Sequence, residues 1–361
     1  TEDGKNSNNH HRVYITSADK LYNGNHAGIQ GLRKIRTEMI PEESLLKIVK
    51  YAAKAPSGYN AQPWRFKIRN DTIYLMPDFA RTLPVSDSDD HVLYIGLGCA
   101  LENLIIAANG FNYATKIEVT GSEKKPQIIV TLSDEPEAGE SELFGYIIKR
   151  QARRNKYADA KVDEDLLSEL FNDPRDEGVR TKLFLTGDEI SGLIPYIAEG
   201  TRLQYSNKAF VDELVSWVRF SEKEAMQKGD GIVAASLGLP NTGRFIGNIL
   251  IKHFISADRV ARHMEQLTLA SSGLALFMAE QNDPYHWIKL GQAFQRFGLK
   301  AAKYQVSHSH LDMPCGELQL RRKLVHDFHL EGLTPLLLIR FGYSEPMPYS
   351  FRRSFYKLLD P

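Results

Sequence analysis

Residues 55–66, APSGYNAQPWRF, carry a hydroxyl and two carboxamides in close succession, at Ser57, Asn60 and Gln62. Proline and glycine around these side chains predict a short loop that follows a helix and leads into a strand beginning at Trp64. Such a loop presents hydroxyl, amide and backbone donors together and could contact a ligand. An ordinary turn rich in asparagine, glycine and proline is the alternative interpretation of the same residues.

Two further segments are basic. Residues 147–157 (IIKRQARRNKY) contain Arg150 and Arg154, and residues 340–355 (RFGYSEPMPYSFRRSF) contain Arg352 and Arg353. Guanidinium groups keep their charge and present paired planar donors, so they match the oxygens of a phosphate dianion. A solvated basic surface is the alternative for either segment taken alone.

Histidines and glycines elsewhere suggest two other kinds of site. HSHLDMPC at 308–315 and HDFH at 326–329 contain possible zinc ligands, but their spacing matches neither a zinc finger nor HExxH. KGDGIVAASLGLPNTG at 228–243 is rich in glycine, but it lacks the GKS or GKT of a phosphate-binding loop. We therefore expect structural or surface histidines, no metal, and a flexible glycine-rich loop.

The composition limits which elements can position these residues. The chain has 361 residues, 42% of them hydrophobic and 25% charged, which suffices for a large core in one or two domains. Its 45 basic and 45 acidic residues cancel, so the net charge points neither to nucleic acid nor to a membrane surface. Cys99 and Cys315 form no disulfide framework and fit a reducing compartment. No apolar run approaches the roughly 20 residues of a membrane span, and residues 1–11 lack the apolar stretch of a signal peptide. We expect a cytoplasmic protein.

Two segments of the chain match each other when overlaid. YIGLGCALENLIIAANGF at 94–111 aligns with WIKLGQAFQRFGLKAAKY at 287–304, with identities that include Ile95 with Ile288 and Gly98 with Gly291. The apolar spacing predicts a buried helix in each segment, and the small residues would let two such helices approach closely. A repeat of this length predicts duplicated domains.

Each copy carries the same predicted neighbours. An acidic helix start precedes each central helix, at 41–49 and 162–170, and a strand follows each, at 126–132 and 335–341. We therefore predict a flexible tail at 1–30, a first half at 31–140 and a second half at 141–361, joined near the charged segment 134–142. The second half carries an insertion at 190–280 that includes the glycine-rich segment and could act as a lid.

The loop and the basic segments together resemble the nitroreductase family. Residues 56–64 are similar to the family loop whose serine and asparagine contact the ribityl chain and phosphate of FMN from the neighbouring subunit. Residues 147–157 resemble the family's opening Arg-Arg-Ser-x-Arg-x-Phe signature, and residues 340–355 its closing strand and phosphate-binding basic pair. The resemblance implies one set of cofactor-binding residues and no identified catalytic residue: Pro56, Ser57, Gly58, Asn60, Gln62, Arg150, Arg154, Arg352 and Arg353.

The distribution of these motifs resembles that in the Acg subgroup of the same superfamily, whose members are fused pseudo-dimers. The first half keeps the loop and lacks the basic pair, whereas the second half keeps both basic segments and has FNDPRDEGVRTKLF at the loop position. Two positions depart from the pattern: Ala152 replaces a serine or threonine, and His91 stands where the subgroup often has arginine. The resemblance implies an α+β, nitroreductase-like fold of two tandem half-domains, with one surviving site.

The resemblance also implies an activity. NAD(P)H would deliver a hydride to the FMN, and a nitroaromatic, quinone or similar small-molecule acceptor would then take the electrons. A non-catalytic flavin-binding or sequestering protein is the alternative, and a cofactor-free interaction protein is a third hypothesis. We expect neither a nucleic-acid nor a membrane partner, and a monomeric pseudo-dimer or a weak homodimer.

Overall fold

The computed structural model describes residues 13–15, 39–122, 125–134, 141–254 and 256–360. Most of the predicted tail and most of the predicted junction at 134–142 therefore lie outside the described residues. Three residues of the predicted tail form a strand, β1 (Val13–Ile15), which pairs with a strand of the first half.

The first half is built from two helices and a sheet. Its elements are α1 (Glu42–Ala52), β2 (Trp64–Arg69), β3 (Thr72–Pro77), α2 (His91–Gly110), β4 (Ala114–Ser122) and β5 (Lys125–Ser133). The strands form an antiparallel sheet in the order β1-β4-β5-β3-β2. The predicted acidic helix, the strand beginning at Trp64, the central helix and the last strand are all present.

The second half begins with α3 (Ser141–Phe144), α4 (Glu164–Phe171) and β6 (Val179–Phe184) and is then interrupted. The interrupting residues, 185–272, form mainly helices. These elements are α5 (Gly187–Ser206), α6 (Lys208–Trp217), β7 (Val218–Arg219), α7 (Glu222–Lys228), β8 (Ile232–Val233), α8 (Arg244–Phe254) and α9 (Ala257–Leu269). We call residues 185–272 the insertion.

The second half resumes with β9 (Gly273–Ala279), α10 (Pro284–Lys303), β10 (Ser307–His310), α11 (Met313–Gly316), α12 (Leu318–Asp327) and β11 (Thr334–Gly342). Strand β9 lies inside the range predicted for the insertion, 190–280, but it is an inner strand of the second sheet. Its seven residues form a continuous apolar run, and every one of them is buried, as in a strand that is covered on both faces.

The two sheets share one strand order. The second sheet is antiparallel in the order β10-β11-β9-β6, which corresponds strand for strand to β4-β5-β3-β2. In each half a helix precedes the first strand, and a long helix connects the second strand to the third. The insertion enters the second half between the strands that correspond to the hairpin β2-β3.

The long helices α2 and α10 pack against each other at two glycines. A Cβ atom on Gly98 would lie 2.0 Å from the carbonyl oxygen of Ile288, and one on Gly291 would lie 2.1 Å from that of Ile95. The Cys99 thiol donates to the Gly291 carbonyl oxygen at 3.2 Å. Side chains larger than hydrogen at the two glycines would therefore separate the helices, and the predicted close approach occurs through equivalent residues.

Helix α2 is the one described helix that is long and apolar enough to cross a membrane, and 89% of its most apolar stretch is buried inside the protein. Both faces of this helix are covered, which explains its lack of a polar side. Its hydrophobicity is that of a central core helix.

After β11 the chain returns to the first half. The Phe66 amide donates to the Leu358 carbonyl oxygen at 2.8 Å, and the Asp360 amide donates to the Phe66 carbonyl oxygen at 2.7 Å. These bonds attach the C-terminal segment to the edge strand β2, which lacks a second neighbour in its sheet. The segment between β11 and this attachment carries Arg352 and Arg353 to the loop of the first half.

Candidate cofactor site

The loop after α1 has an unusual backbone. Tyr59, Asn60 and Gln62 have positive φ angles of 46°, 54° and 52°, which residues other than glycine adopt rarely. The Ser57 hydroxyl accepts a hydrogen bond from the Gln62 amide at 2.9 Å and closes the loop on itself. Strained backbone of this kind persists where surrounding contacts hold it, and it is concentrated at functional sites.

The loop and the C-terminal segment are joined through paired contacts. Arg352 Nη1 donates to Asn60 Oδ1 at 3.1 Å, and Asn60 Nδ2 donates to the Phe351 carbonyl oxygen at 3.0 Å. The Arg353 amide donates to Gln62 Oε1 at 2.9 Å, and Arg353 Nη1 donates to the Gln62 carbonyl oxygen at 3.0 Å. Four residues predicted from separate motifs thus contact one another, and both carboxamides are occupied by protein partners.

The insertion is fastened to the same loop. Gln62 Nε2 donates to the Gly229 carbonyl oxygen at 2.8 Å, and Asn60 Nδ2 donates to that of Gly231 at 3.2 Å. Both glycines have positive φ, and a Cβ atom on Gly229 would lie 2.5 Å from the Arg352 carbonyl oxygen. The glycine-rich segment is thus a point of close approach between three parts of the chain.

Two carboxylates of the insertion also bind the first half. Asp230 pairs with Arg81 of the first half at 2.5 Å, and with Arg219 of the insertion itself at 2.6 Å. Glu213 accepts hydrogen bonds from the amides of Val85 and Ser86, both at 2.9 Å. The insertion therefore lies closed against the first half, with charge-assisted bonds at its contact.

A cavity of about 740 Å³ lies beside the loop, within the range of small-molecule and cofactor sites. Of the nine predicted residues, Pro56, Ser57, Gly58 and Arg154 line its wall. The other five do not line it: Asn60, Gln62, Arg150, Arg352 and Arg353. The opposite wall is largely apolar and comes from the insertion, through Leu237, Leu239, Pro240, Ile251, Val260, Met264 and Leu267.

Four arginines in this region have no carboxylate of the described residues within ion-pair distance. They are Arg150, Arg154, Arg340 and Arg352. Burial and, to a smaller extent, the positive charge of Arg150 together lower the pKa of Arg352 to about 9. The Nε atoms of Arg150 and Arg352 are buried without a hydrogen-bond partner among the described residues. An anion bound here would supply both the missing hydrogen-bond acceptors and the missing negative charge.

Arg353 differs from its neighbour. Its guanidinium lies 3.6 Å from an oxygen of Asp78, so its charge has a partner in the protein. Of the basic pair predicted at 352–353, Arg353 therefore has a carboxylate partner, whereas Arg352 has none among the described residues.

Arg340 was not among the predicted site residues. It is 1% exposed, lies in the central strand β11 and lines the cavity. Nη2 donates to the carbonyl oxygens of Arg154 and Asn155, both at 2.9 Å, whereas Nη1 is buried and has no partner in the part of the chain that the structure describes. Its guanidinium lies 3.9 Å from the centre of the Tyr157 ring. An arginine within the apolar run PLLLIRF is the sequence signal that identifies it, because buried charge needs a local reason.

His91 lies on the cavity wall at the start of α2. Its Nδ1 contacts a carboxylate oxygen of Asp89 and lies 3.1 Å from one of Asp87. These three are the one group of potential metal ligands found close together among the described residues. Arg321 pairs with Asp89 at 2.9 Å, so the two carboxylates already face two cationic side chains.

The histidines at 308–315 form no cluster with Cys315 in the described chain. His308 is 1% exposed, and both of its ring nitrogens lack a partner among the described residues. Burial lowers the pKa of His308 well below its ordinary value, and Arg150 acts in the same direction. The ring packs against Phe294 and Phe297, as expected for a structural histidine.

Comparison with known proteins agrees with the resemblance drawn from the motifs. A model of the nitroreductase family matches residues 32–80, which include the loop. The uncharacterized protein MT1398 of Mycobacterium tuberculosis is 24% identical over 195 residues, covering 52% of this chain and 27% of that protein. The putative NAD(P)H nitroreductase Rv3131 of the same species is 23% identical over 132 residues, covering 36% and 38%. The matched region thus spans well under half the length of either relative.

Among solved structures, the FMN and NADPH-dependent nitroreductase NfnB from a Sphigopyxis strain has a TM-score of 0.37 and 12% identity, covering 60% of this chain and 97% of that one. A TM-score of this size does not establish a common arrangement over the whole chain. The family match and the sequence relatives support the nitroreductase superfamily.

Proposed function

We propose that this chain binds one FMN and acts as an FMN-dependent NAD(P)H oxidoreductase of the nitroreductase type. The acceptors would be nitroaromatics, quinones or similar small molecules. One observation carries the proposal: four buried arginines in this region have no carboxylate partner among the described residues, and two of them, Arg154 and Arg340, line a cofactor-sized cavity whose wall includes Pro56, Ser57 and Gly58.

The residues present fit the cofactor in two respects. Arg150 and Arg352 offer orphaned Nε donors and uncompensated charge, as a phosphate dianion requires. Arg154 and Arg340 bring positive charge to the cavity wall, opposite the apolar side chains of the insertion. A flat ring system with one polar edge matches a cavity with one cationic and one apolar wall.

When bound, FMN would supply the redox chemistry, accepting a hydride from a nicotinamide and passing electrons to the acceptor. The chain itself would bind, orient and enclose. The arginines would hold the polar groups of the cofactor, and the cationic wall would stabilise negative charge that develops beside it. The closed insertion excludes water from the apolar side.

The likeness of the two halves supports the proposal of a single site in each chain. The equivalent strand orders and the matching contacts at Gly98 and Gly291 are those expected if the halves form an intramolecular pseudo-dimer. The loop comes from the first half and the arginines come from the second, so one pairing of loop and arginines can form a site.

The decisive experiment is anaerobic mixing of the FMN-loaded protein with NADH or NADPH, followed by a quinone or nitroaromatic. We expect the flavin absorbance to bleach at a rate that saturates with nicotinamide concentration and to recover on addition of the acceptor. A flavin that stays oxidised under both nicotinamides contradicts the proposed turnover.

A second candidate, flavin sequestration without turnover, is favoured by the closed insertion with its charge-assisted bonds to the first half. A protein of this kind would hold flavin that dithionite bleaches and nicotinamides do not. Failure of dithionite as well would place the flavin, or the site, elsewhere than in this cavity.

A further inference from the structure

His91 lines the cavity, and carboxylates contact its imidazole ring at Nδ1. It is 2% exposed, and its Nδ1 contacts Asp89 and lies 3.1 Å from Asp87. Asp87 is itself fixed, because it accepts hydrogen bonds from the amides of Val92 and Leu93 at 3.0 and 2.9 Å. No described residue accepts a hydrogen bond from Nε2, which is the nitrogen left for a ligand.

The charges around His91 come from several elements. Asp87, Asp89 and Asp90 precede it in the chain, Arg321 approaches from α12, and the Trp287 ring on α10 packs edge-on at 6.3 Å. Arg321 Nη2 lies 3.4 Å from Nδ1, but it donates to Asp89 through Nη1 and is a neighbouring cation there. Burial by itself would lower the pKa of His91, whereas hydrogen bonds to Asp87 and Asp89 raise it to about 9.

We propose that His91 is the proton donor to the electron acceptor, and this inference rests on the proposed function of the cavity. In the described part of the chain, His91 is the cavity residue with a carboxylate-held imidazolium and a ring nitrogen without a protein partner. Another histidine of the cavity wall, His310, has its Nδ1 3.1 Å from Asp312, and no second carboxylate of the described residues lies within ion-pair distance of it.

An acceptor reduced by hydride transfer would gain two electrons and one proton, and negative charge would develop on its oxygen. The Nε2–H bond of His91 breaks as an O–H bond forms, and the neutral imidazole then regains a proton from water. A positioned acid of this kind contributes about 10²–10⁴-fold to the rate of such a step.

A purely structural role would need no ring nitrogen in the cavity. Asp89 and Arg321 already form a pair that connects the start of α2 with α12. A metal ion at Asp87, Asp89 and His91 would have to displace both the Arg321 guanidinium and the His91 proton. Donation of a proton from His91 Nε2 requires no such displacement.

Two variants separate the roles. His91→Gln removes the acid and keeps a polar side chain, and we expect acceptor reduction to slow about 100-fold with FMN affinity within about threefold of wild type. Asp89→Asn keeps His91 but removes one of the carboxylates that raise its pKa. We therefore expect the alkaline limb of the pH–rate profile to move from near pH 9 toward neutral pH. Unchanged rates in His91→Gln, or an unmoved limb in Asp89→Asn, would overturn the proposal.

A second readout does not depend on turnover. In the flavin-free full chain, ¹⁵N chemical shifts of the His91 ring should titrate near pH 9, and Asp89→Asn should lower that midpoint. Addition of 4-nitrobenzoate should shift the Nε2 signal. A midpoint near the ordinary value of about 6.5, or an Nε2 signal indifferent to the probe, contradicts the proposal. If the protein binds no flavin, the proposed function fails while this measurement still decides on His91; it also decides if His91→Gln does not fold.

Discussion

At the scale of single residues, the candidate site is marked by buried arginines that have no carboxylate partner among the described residues. Arg352 and Arg353 are adjacent in sequence, but Arg353 lies beside Asp78 whereas Arg352 lies among carbonyl oxygens and near Arg150. Buried cations without counter-charge are costly, so their presence requires a compensating ligand or a structural reason. The two residues therefore have different expected roles.

We expect Arg352→Ala and Arg150→Ala each to weaken FMN binding at least tenfold, since a charge-assisted hydrogen bond contributes about 1.5–3 kcal/mol. Riboflavin, which lacks the phosphate, should lose much less. Flavin fluorescence quenching measures both affinities. Arg353→Ala is the matched control: it loosens Gln62 and should affect both flavins alike. Equal losses for FMN and riboflavin in Arg352→Ala would show that this residue does not contact the phosphate.

The raised pKa of His91 makes the free energy of unfolding depend on pH. The charged His91 stabilises the folded protein through Asp87 and Asp89. This stabilisation is fully present below about pH 6.5 and is lost as pH rises through about 9. His91→Gln should lower the free energy of unfolding by about 3 kcal/mol at pH 6, because it breaks a buried charged network. Urea denaturation at pH 6 and pH 10 tests this. A difference between wild type and variant that is as large at pH 10 would rule out a charged His91.

At the scale of elements, two glycines allow the helices α2 and α10 to cross closely. Each hydrogen side chain lies where a methyl group would meet a carbonyl oxygen of the partner helix, at 2.0 and 2.1 Å. Backbone atoms of packed helices cannot move aside as side-chain ends can, so the whole helix would have to shift. This contact joins the two halves through their cores.

Gly98→Ala should therefore destabilise the protein by about 3 kcal/mol or more, as overpacking of a rigid contact does. Gly192→Ala is the control: it lies in α5, and an added Cβ atom there would meet nothing within 4 Å. That variant should be stabilised by up to about 1 kcal/mol, from the higher helix propensity of alanine. Thermal or urea unfolding compares the two. A Gly98→Ala protein as stable as wild type would mean that the helices do not cross here.

At the scale of the whole molecule, the chain brings distant segments to one place. The loop belongs to the first half, the C-terminal segment crosses from the second sheet to strand β2, and the insertion closes over both. The second half carries a different sequence at the loop position, because residues 172–178 stand between α4 and β6, and the acidic segment 134–142 follows β5 where a second basic pair would be needed.

We therefore expect one FMN to saturate each chain. Titration of flavin against a known protein concentration, followed by fluorescence quenching, gives the stoichiometry directly. The Arg352→Ala protein at the same concentration is a control for nonspecific uptake. Two equivalent flavins in each chain would contradict the proposal of a single site.

The sequence by itself determined the elements with strong local patterns. The two central helices, the acidic helix starts, the strand at Trp64 and the last strand of each half were predicted and are present, because helical periodicity and apolar runs are local signals. The loop at 55–66 and the basic segments were also recognisable, since each is a contiguous motif. Their roles at a cofactor remain predictions.

Only the tertiary structure decided which of these residues share a surface. The fold gave Asn60 and Gln62 protein partners, placed Arg340 and His91 on the cavity wall, and made β9 an inner strand of the second sheet rather than part of a lid. The partners of these residues are distant in the sequence, from the C-terminal segment and the insertion to α12. Local periodicity carries no information about such pairs, because burial and charge balance depend on contacts that exist only after the two halves have packed together.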